Sequence, residues 1–205
     1  MKIKHIIFIA LSLFSQVAFS QKLYIWCPKD QLITPREGFL ENEEIDLVIF
    51  DGRLLTKNSK IDCSASETIK SLAEFIIKTY PSAKINLLES KEYFKDPKAN
   101  QLTIKIGIAA YHAAFGADVK IGIGSIGGQF AWGVIPEGKW NAVTGYNAMI
   151  YDYRNDKEEK IIKEIAKIAS RPNTGGYITA KNILNKTYME ANQEFLFFID
   201  STLMK

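Results

Sequence analysis

The chain has 205 residues, 47% of them apolar and 24% charged, a composition that excludes an extended disordered protein. Residues 1–20 hold two lysines and no acids, so without them the net charge falls from +3 to +1. That near-neutrality argues against a polyanion partner of the nucleic-acid kind, because such binding draws on clustered Lys and Arg that release counterions.

Lys2, Lys4 and His5 form a positive n-region and Ile6 to Phe14 an apolar h-region. Ala18-Phe19-Ser20 supplies small residues at a cleavage site, so residues 1–20 read as a signal peptide. The run is shorter than the roughly 20 apolar residues of a membrane-spanning helix. The expected product is residues 21–205, exported to the periplasm or beyond, as a single α/β domain. No cysteine stands at the lipoprotein cleavage position, so no lipid anchor is expected. Cys27 and Cys63 are an even pair in an exported chain, which points to a disulfide; the alternative is two separate buried thiols. With His112 the only other ligand type of that kind, zinc spacing is lacking and no metal is expected.

Lys22 to Glu44 reads as an arm with one short strand. Ile45 to Phe50 is a compact apolar run ended by Asp51-Gly52, consistent with a strand buried on both faces. Ser64-Ala-Ser-Glu67 is a capping box, followed by Ala65, Ile69, Leu72, Ala73, Ile76 and Tyr80 at helical spacing up to Pro81. Lys84 to Leu88 reads as a strand, and Glu89 to Gln101 as a charged connection with a helical turn. Leu102, Ile104, Ile106 and Ile108 alternate with Thr103, Lys105 and Gly107, the period of a strand. Trp140 to Tyr153 reads as another. In Asp156 to Ser170, Ile161, Ile165 and Ile168 favour a helix, although Asn155-Asp156 resembles a turn that would send a strand back. From Thr179, apolar positions to Phe198 make a second amphipathic helix. The sum is a mixed sheet of four to six strands packed by two main helices.

Gly122-Ile-Gly-Ser-Ile-Gly127 has the spacing of a dinucleotide fingerprint. The motif should open a helix, yet Gly133, Pro136 and Gly138 follow and Phe130, Trp132 and Val134 alternate. No cofactor is therefore expected, and the stretch reads as a loop or bulged hairpin. Gly122, Gly124, Gly127 and Gly128, flanked by Tyr111, Phe115, Phe130, Trp132 and Trp140, form the candidate binding surface; the same rings could instead be core. His112 has no nucleophile motif beside it and reads as a structural histidine.

The Asp51-x-Arg53 exit of the first core strand, the helix ending at Tyr80-Pro81, the strand pair 102–111 and 140–153, and the closing helix with Tyr188-Met-Glu-Ala191 resemble exported bacterial α/β accessory domains. Examples are LpoB, the CsgG periplasmic domain and the TolB N-terminal domain. The resemblance implies a non-catalytic binding or assembly role in the cell envelope, and a return strand for 156–170. The expected function is binding of an envelope protein or glycan. Alternatives are a small hydrolase using Asp51, His112 and Asp118, or a structural subunit that self-assembles into homo-oligomers through the 119–134 edge.

Overall fold

Nine strands and two long helices form in the computed structural model, which describes residues 22–29, 31–53, 55, 59–116, 138–154 and 159–203 and the backbone of 122–123 and 130–131. In chain order they are β1 (Leu23–Ile25), β2 (Glu44–Asp51), β3 (Lys60–Ile61), α1 (Ala65–Thr79), β4 (Lys84–Leu88), β5 (Leu102–Phe115), β6 (Gly122–Ile123), β7 (Phe130–Ala131), β8 (Lys139–Asp152), β9 (Glu159–Pro172) and α2 (Tyr177–Leu203). They make one α/β domain with a mixed, curled sheet covered by two helices. The expected signal peptide lies outside the described residues.

The sheet is built outward from β5. Its apolar alternation buries Ile104, Ile106 and Ile108 against the helices, and both of its edges are used. On one edge β8 pairs antiparallel along the whole strand, from Leu102↔Asp152 to Phe115↔Trp140. The other edge is divided: β2 pairs in parallel from Leu102 to Ile108, and β1 pairs antiparallel only at Ala113 and Ala114. A register shift between Ile108 and Ala110 marks the division, as a bulge that bends a strand would. Beyond β2 lies β4, parallel to it, reached through the α1 crossover. Short β3 extends β1.

The main sheet therefore has seven strands, more than the four to six expected, the additions being β3 and β9. Pattern favoured a helix for 156–170, but Glu159–Pro172 is a strand. Ile161 and Ile165 are four residues apart, an even spacing that shares a face in a strand as well as in a helix. The decisive need is that of β8, whose outer backbone groups require partners. β9 supplies them without a break from Lys139↔Pro172 to Asp152↔Glu159.

Both helices lie on one face of the sheet. The α1 capping box is complete: the Glu67 N–H donates to Ser64 Oγ at 3.2 Å and the Ser64 N–H to Glu67 Oε2 at 2.8 Å. Its apolar stripe, Leu72, Phe75 and Ile76, enters the core. α2 carries buried polar residues as well as Ala191 and Phe195, and each meets a partner. Thr144 and Thr187 are 2.9 Å apart through their hydroxyls, and Tyr146 Oη donates to Asn192 Oδ1 at 2.9 Å. These bonds fix the axial position of α2 on β8, since a slide would leave buried polar atoms unpaired. At the far end Asp200 accepts from Tyr80 Oη at 2.8 Å and from Arg36, joining the arm and the ends of both helices.

On the opposite face Lys105 is buried, and its ammonium donates to the carbonyls of Glu92, Tyr93 and Lys95, pinning the 3-10 turn Ser90–Phe94 to β5. Cys27 and Cys63 form the disulfide. It ties the end of β1 to the cap of α1 across a separation of 36 residues.

Two outcomes follow for unfolding in urea. Cys27→Ser with Cys63→Ser lowers stability by about 4 kcal/mol, the chain-entropy value for a loop of this length. Tyr146→Phe lowers it by about 1–3 kcal/mol, because Asn192 Oδ1 loses its buried donor; an unchanged midpoint would mean that water reaches Asn192.

Candidate functional site

Two places gather chemistry. The first is the fork where β5 exchanges β2 for β1. Asp51 ends β2, and Arg53 folds back so that its Nε donates to Asp51 Oδ1 at 2.8 Å and its Nη2 to Oδ2 at 2.6 Å. Both side chains are buried, which suits a planar guanidinium able to satisfy both carboxylate oxygens. Among the described residues the remaining Nη1 has no hydrogen-bond partner, and neither has Nε2 of buried His112 on β5. Burial, with the Arg53 cation adding to it, pushes His112 down to about 4. At neutral pH the imidazole is uncharged.

The second place is the end of the sheet where β1, β3, the last residues of β5, the first of β8 and the start of α2 meet. The alternation Leu23-Tyr-Ile-Trp puts Tyr24 and Trp26 on one side of β1, and their rings stack at 5.7 Å between centroids. Trp140, the first inward residue of β8, meets Tyr24 edge-on at 5.4 Å and Phe115 at 5.3 Å. Tyr177, the first residue of α2, closes the group at 5.2 Å from Tyr24 and 5.7 Å from Trp140. Separations and angles of this kind are those that aromatic quadrupoles favour. Lys22 lies over Tyr24, Lys60 over Tyr177 and Lys181 over Trp26 at 5.3–5.9 Å from the ring centroids. Trp140 Nε1 is held by Asn173 Oδ1 at 2.9 Å. The two Trp rings are buried beneath, while Tyr177 at 50% and Phe115 at 41% exposure face outward. The array is a shaped, partly open aromatic surface with cations on it.

The structure separates the residues that sequence grouped together. Phe115 and Trp140 join the array. Tyr111 belongs to the core: it is fully buried, packs on Tyr188 at 5.4 Å and donates its hydroxyl to the Trp26 carbonyl at 2.8 Å. Gly122 and Phe130 sit on the paired strands β6 and β7, with Gly122 opposite Ala131 and Ile123 opposite Phe130. Gly122 thus lies in a strand pair. Gly124, Gly127, Gly128 and Trp132 lie outside the described residues, as do Asp118 and most of the 119–134 edge. Of the hydrolase residues, Asp51 has both oxygens committed to Arg53 and His112 is neutral and buried. Cys27 and Cys63 approach Glu67 closely enough to resemble a ligand set. Their sulfurs are bonded to each other, and the Glu67 carboxylate serves the helix cap. Tyr24, Trp26 and Tyr177 were missed by sequence reasoning. The one available signal was the alternation of two aromatics just before Cys27.

No protein-family model matches this chain, and no curated protein does. Among solved structures it is similar to the hypothetical protein CT253 from Chlamydia trachomatis, with a TM-score of 0.45 and 7% identity over 80% of this chain and 99% of that one. It is also similar to the lipoprotein GNA1162 from Neisseria meningitidis, with a TM-score of 0.35 and 11% identity over 73% and 99%. A PelC dodecamer from Paraburkholderia phytofirmans gives a TM-score of 0.34 and 10% identity over 80% and 94%. At these scores and identities no function is carried across. Among the described residues, no helix is long and apolar enough to cross a membrane.

The fork predicts a pH dependence. His112 titrates near 6.5 when unfolded and near 4 when folded, so between these values the unfolded chain binds the extra proton and stability rises with pH. The contribution is complete above 6.5 and is lost as the pH falls to 4, by up to about 3 kcal/mol. Urea unfolding at pH 4.5 and 7 should show a smaller difference for His112→Gln than for the unaltered protein. Equal differences would place the imidazole in water.

Proposed function

We propose that this is an exported, non-catalytic accessory protein of the cell envelope that acts by binding a protein or glycan partner. The observation that carries the reading is the aromatic array, in which Tyr177 and Phe115 stand exposed on a base of buried rings. Clustered aromatics with an apolar body and a polar edge are what binding surfaces concentrate. On its sequence, the glycine-rich stretch between Phe115 and Trp140, with Gly122, Gly124, Gly127, Gly128, Phe130 and Trp132, belongs to the same proposal. The resemblance of element order to LpoB, the CsgG periplasmic domain and the TolB N-terminal domain supports the same role. Export is supported by the residue 1–20 pattern and by the disulfide, which suits an oxidising compartment.

Trp26 and Trp140 lie inside the array and make it self-reporting. Titration of the protein with a solubilised envelope extract should shift the tryptophan emission. Tyr177→Ala combined with Phe115→Ala should weaken that response at least tenfold while the far-ultraviolet circular dichroism stays unchanged. Protease treatment of the extract removes the response if the partner is a protein, and periodate treatment removes it if the partner is a glycan. A double variant that responds like the unaltered protein would move the binding surface elsewhere.

A further inference from the structure

The near-neutral net charge conceals a local asymmetry around the array. Lys22, Lys60 and Lys181 each lie over one of its rings, and Arg171 pairs across the strands with Trp140. None of the four forms an ion pair among the described residues, although thirteen such pairs occur elsewhere. Residues 22–26, 59–62, 113–116, 138–141 and 171–189, which frame this end of the sheet, contain one carboxylate, Asp62.

Beside the array, on the side of β9, a cleft of about 300 Å³ is lined by Arg171, Pro172, Thr174, Thr179, Asn182 and Ile183. That is the lower end of the range for small-molecule sites. Pro172 and Ile183 are its apolar lining. Thr179 Oγ1 accepts from the Gly175 N–H at 3.1 Å, which leaves its own proton to donate. The Asn182 amide and the Arg171 guanidinium are further donors among its lining residues. Hydroxyl-rich rings with apolar faces fit an apolar lining and flat aromatics, and a carboxylate fits the cations.

We infer that this end of the sheet binds a linear carboxylate-bearing polysaccharide, with one uronic acid unit in the Arg171 cleft and the next units running across Tyr177 and Tyr24 beside the lysines. The inference rests on the binding role proposed above and assigns its ligand class. A membrane surface fits less well, because the two Trp rings that would insert are buried.

The test uses isothermal titration of the protein with four probes: polygalacturonate, its methyl ester, poly(dT) and phosphatidylglycerol vesicles. Polygalacturonate binds, the ester binds at least tenfold more weakly, and raised salt weakens the former only. Arg171→Gln and Lys181→Gln each weaken polygalacturonate about fivefold, and Lys70→Gln, on the exposed face of α1, leaves it unchanged. Equal binding of the ester would overturn the anionic assignment while leaving a glycan surface. Binding of poly(dT) or vesicles alone would overturn the glycan assignment. If no probe binds, the ligand class falls, and the envelope titration with Tyr177→Ala and Phe115→Ala independently decides whether the surface binds at all.

Discussion

The structure depends on one constraint, the division of a single strand edge. β5 is long enough to serve more neighbours than a strand normally has, because β2 leaves it at Ile108 and β1 joins it only at Ala113. The interval between them is too short for a further strand, and buried side chains crowd it. This explains why a bidentate ion pair, an uncharged histidine and a core tyrosine meet there. Breaking the Asp51–Arg53 pair from either side would strand a buried charge, which is far more damaging than replacing the pair with apolar residues.

The same division sets the position of the aromatic array. Only the C-terminal part of β5 is free to take β1, so Tyr24 and Trp26 are placed beside the residues that open β8 and α2. α2 is in turn held at a fixed height by its hydroxyl and amide bonds to β8. Tyr177 therefore reaches the array because of packing about three and four turns further along the same helix. The array is a product of long-range topology, with no local sequence that encodes it.

Much of the fold was legible because its elements announce themselves with a single period. The Ser64–Glu67 box, the Ile45–Phe50 run and the Leu102–Ile108 alternation each admit one reading, and the structure has each of them. β9 was not legible in the same way, since Ile161 and Ile165 fit both periods and what selects the strand is the unsatisfied edge of β8. For the site, Phe115 and Trp140 were found through their place beside the glycine-rich segment. Tyr111 was grouped with them by proximity in sequence and shares the face of β5 that carries Phe115, but it lies further along the strand, where Tyr188 covers it. Tyr24, Trp26 and Tyr177 come from three distant elements, and a charge summed over the whole chain hid the cations that accompany them.

The disulfide gains a second meaning from its position. Cys27 follows Trp26 directly and Cys63 precedes the Ser64 cap, so the bond anchors the short strand that brings Tyr24 and Trp26 to the ring cluster. Order in the cluster and oxidation of the two thiols are then coupled through β1, and such coupling is reciprocal. An occupant that favours the assembled rings opposes reduction of the bond by the same free energy, and reduction loosens the grip on the occupant equally. The bridge thus links the order of these rings to the redox state of the surroundings.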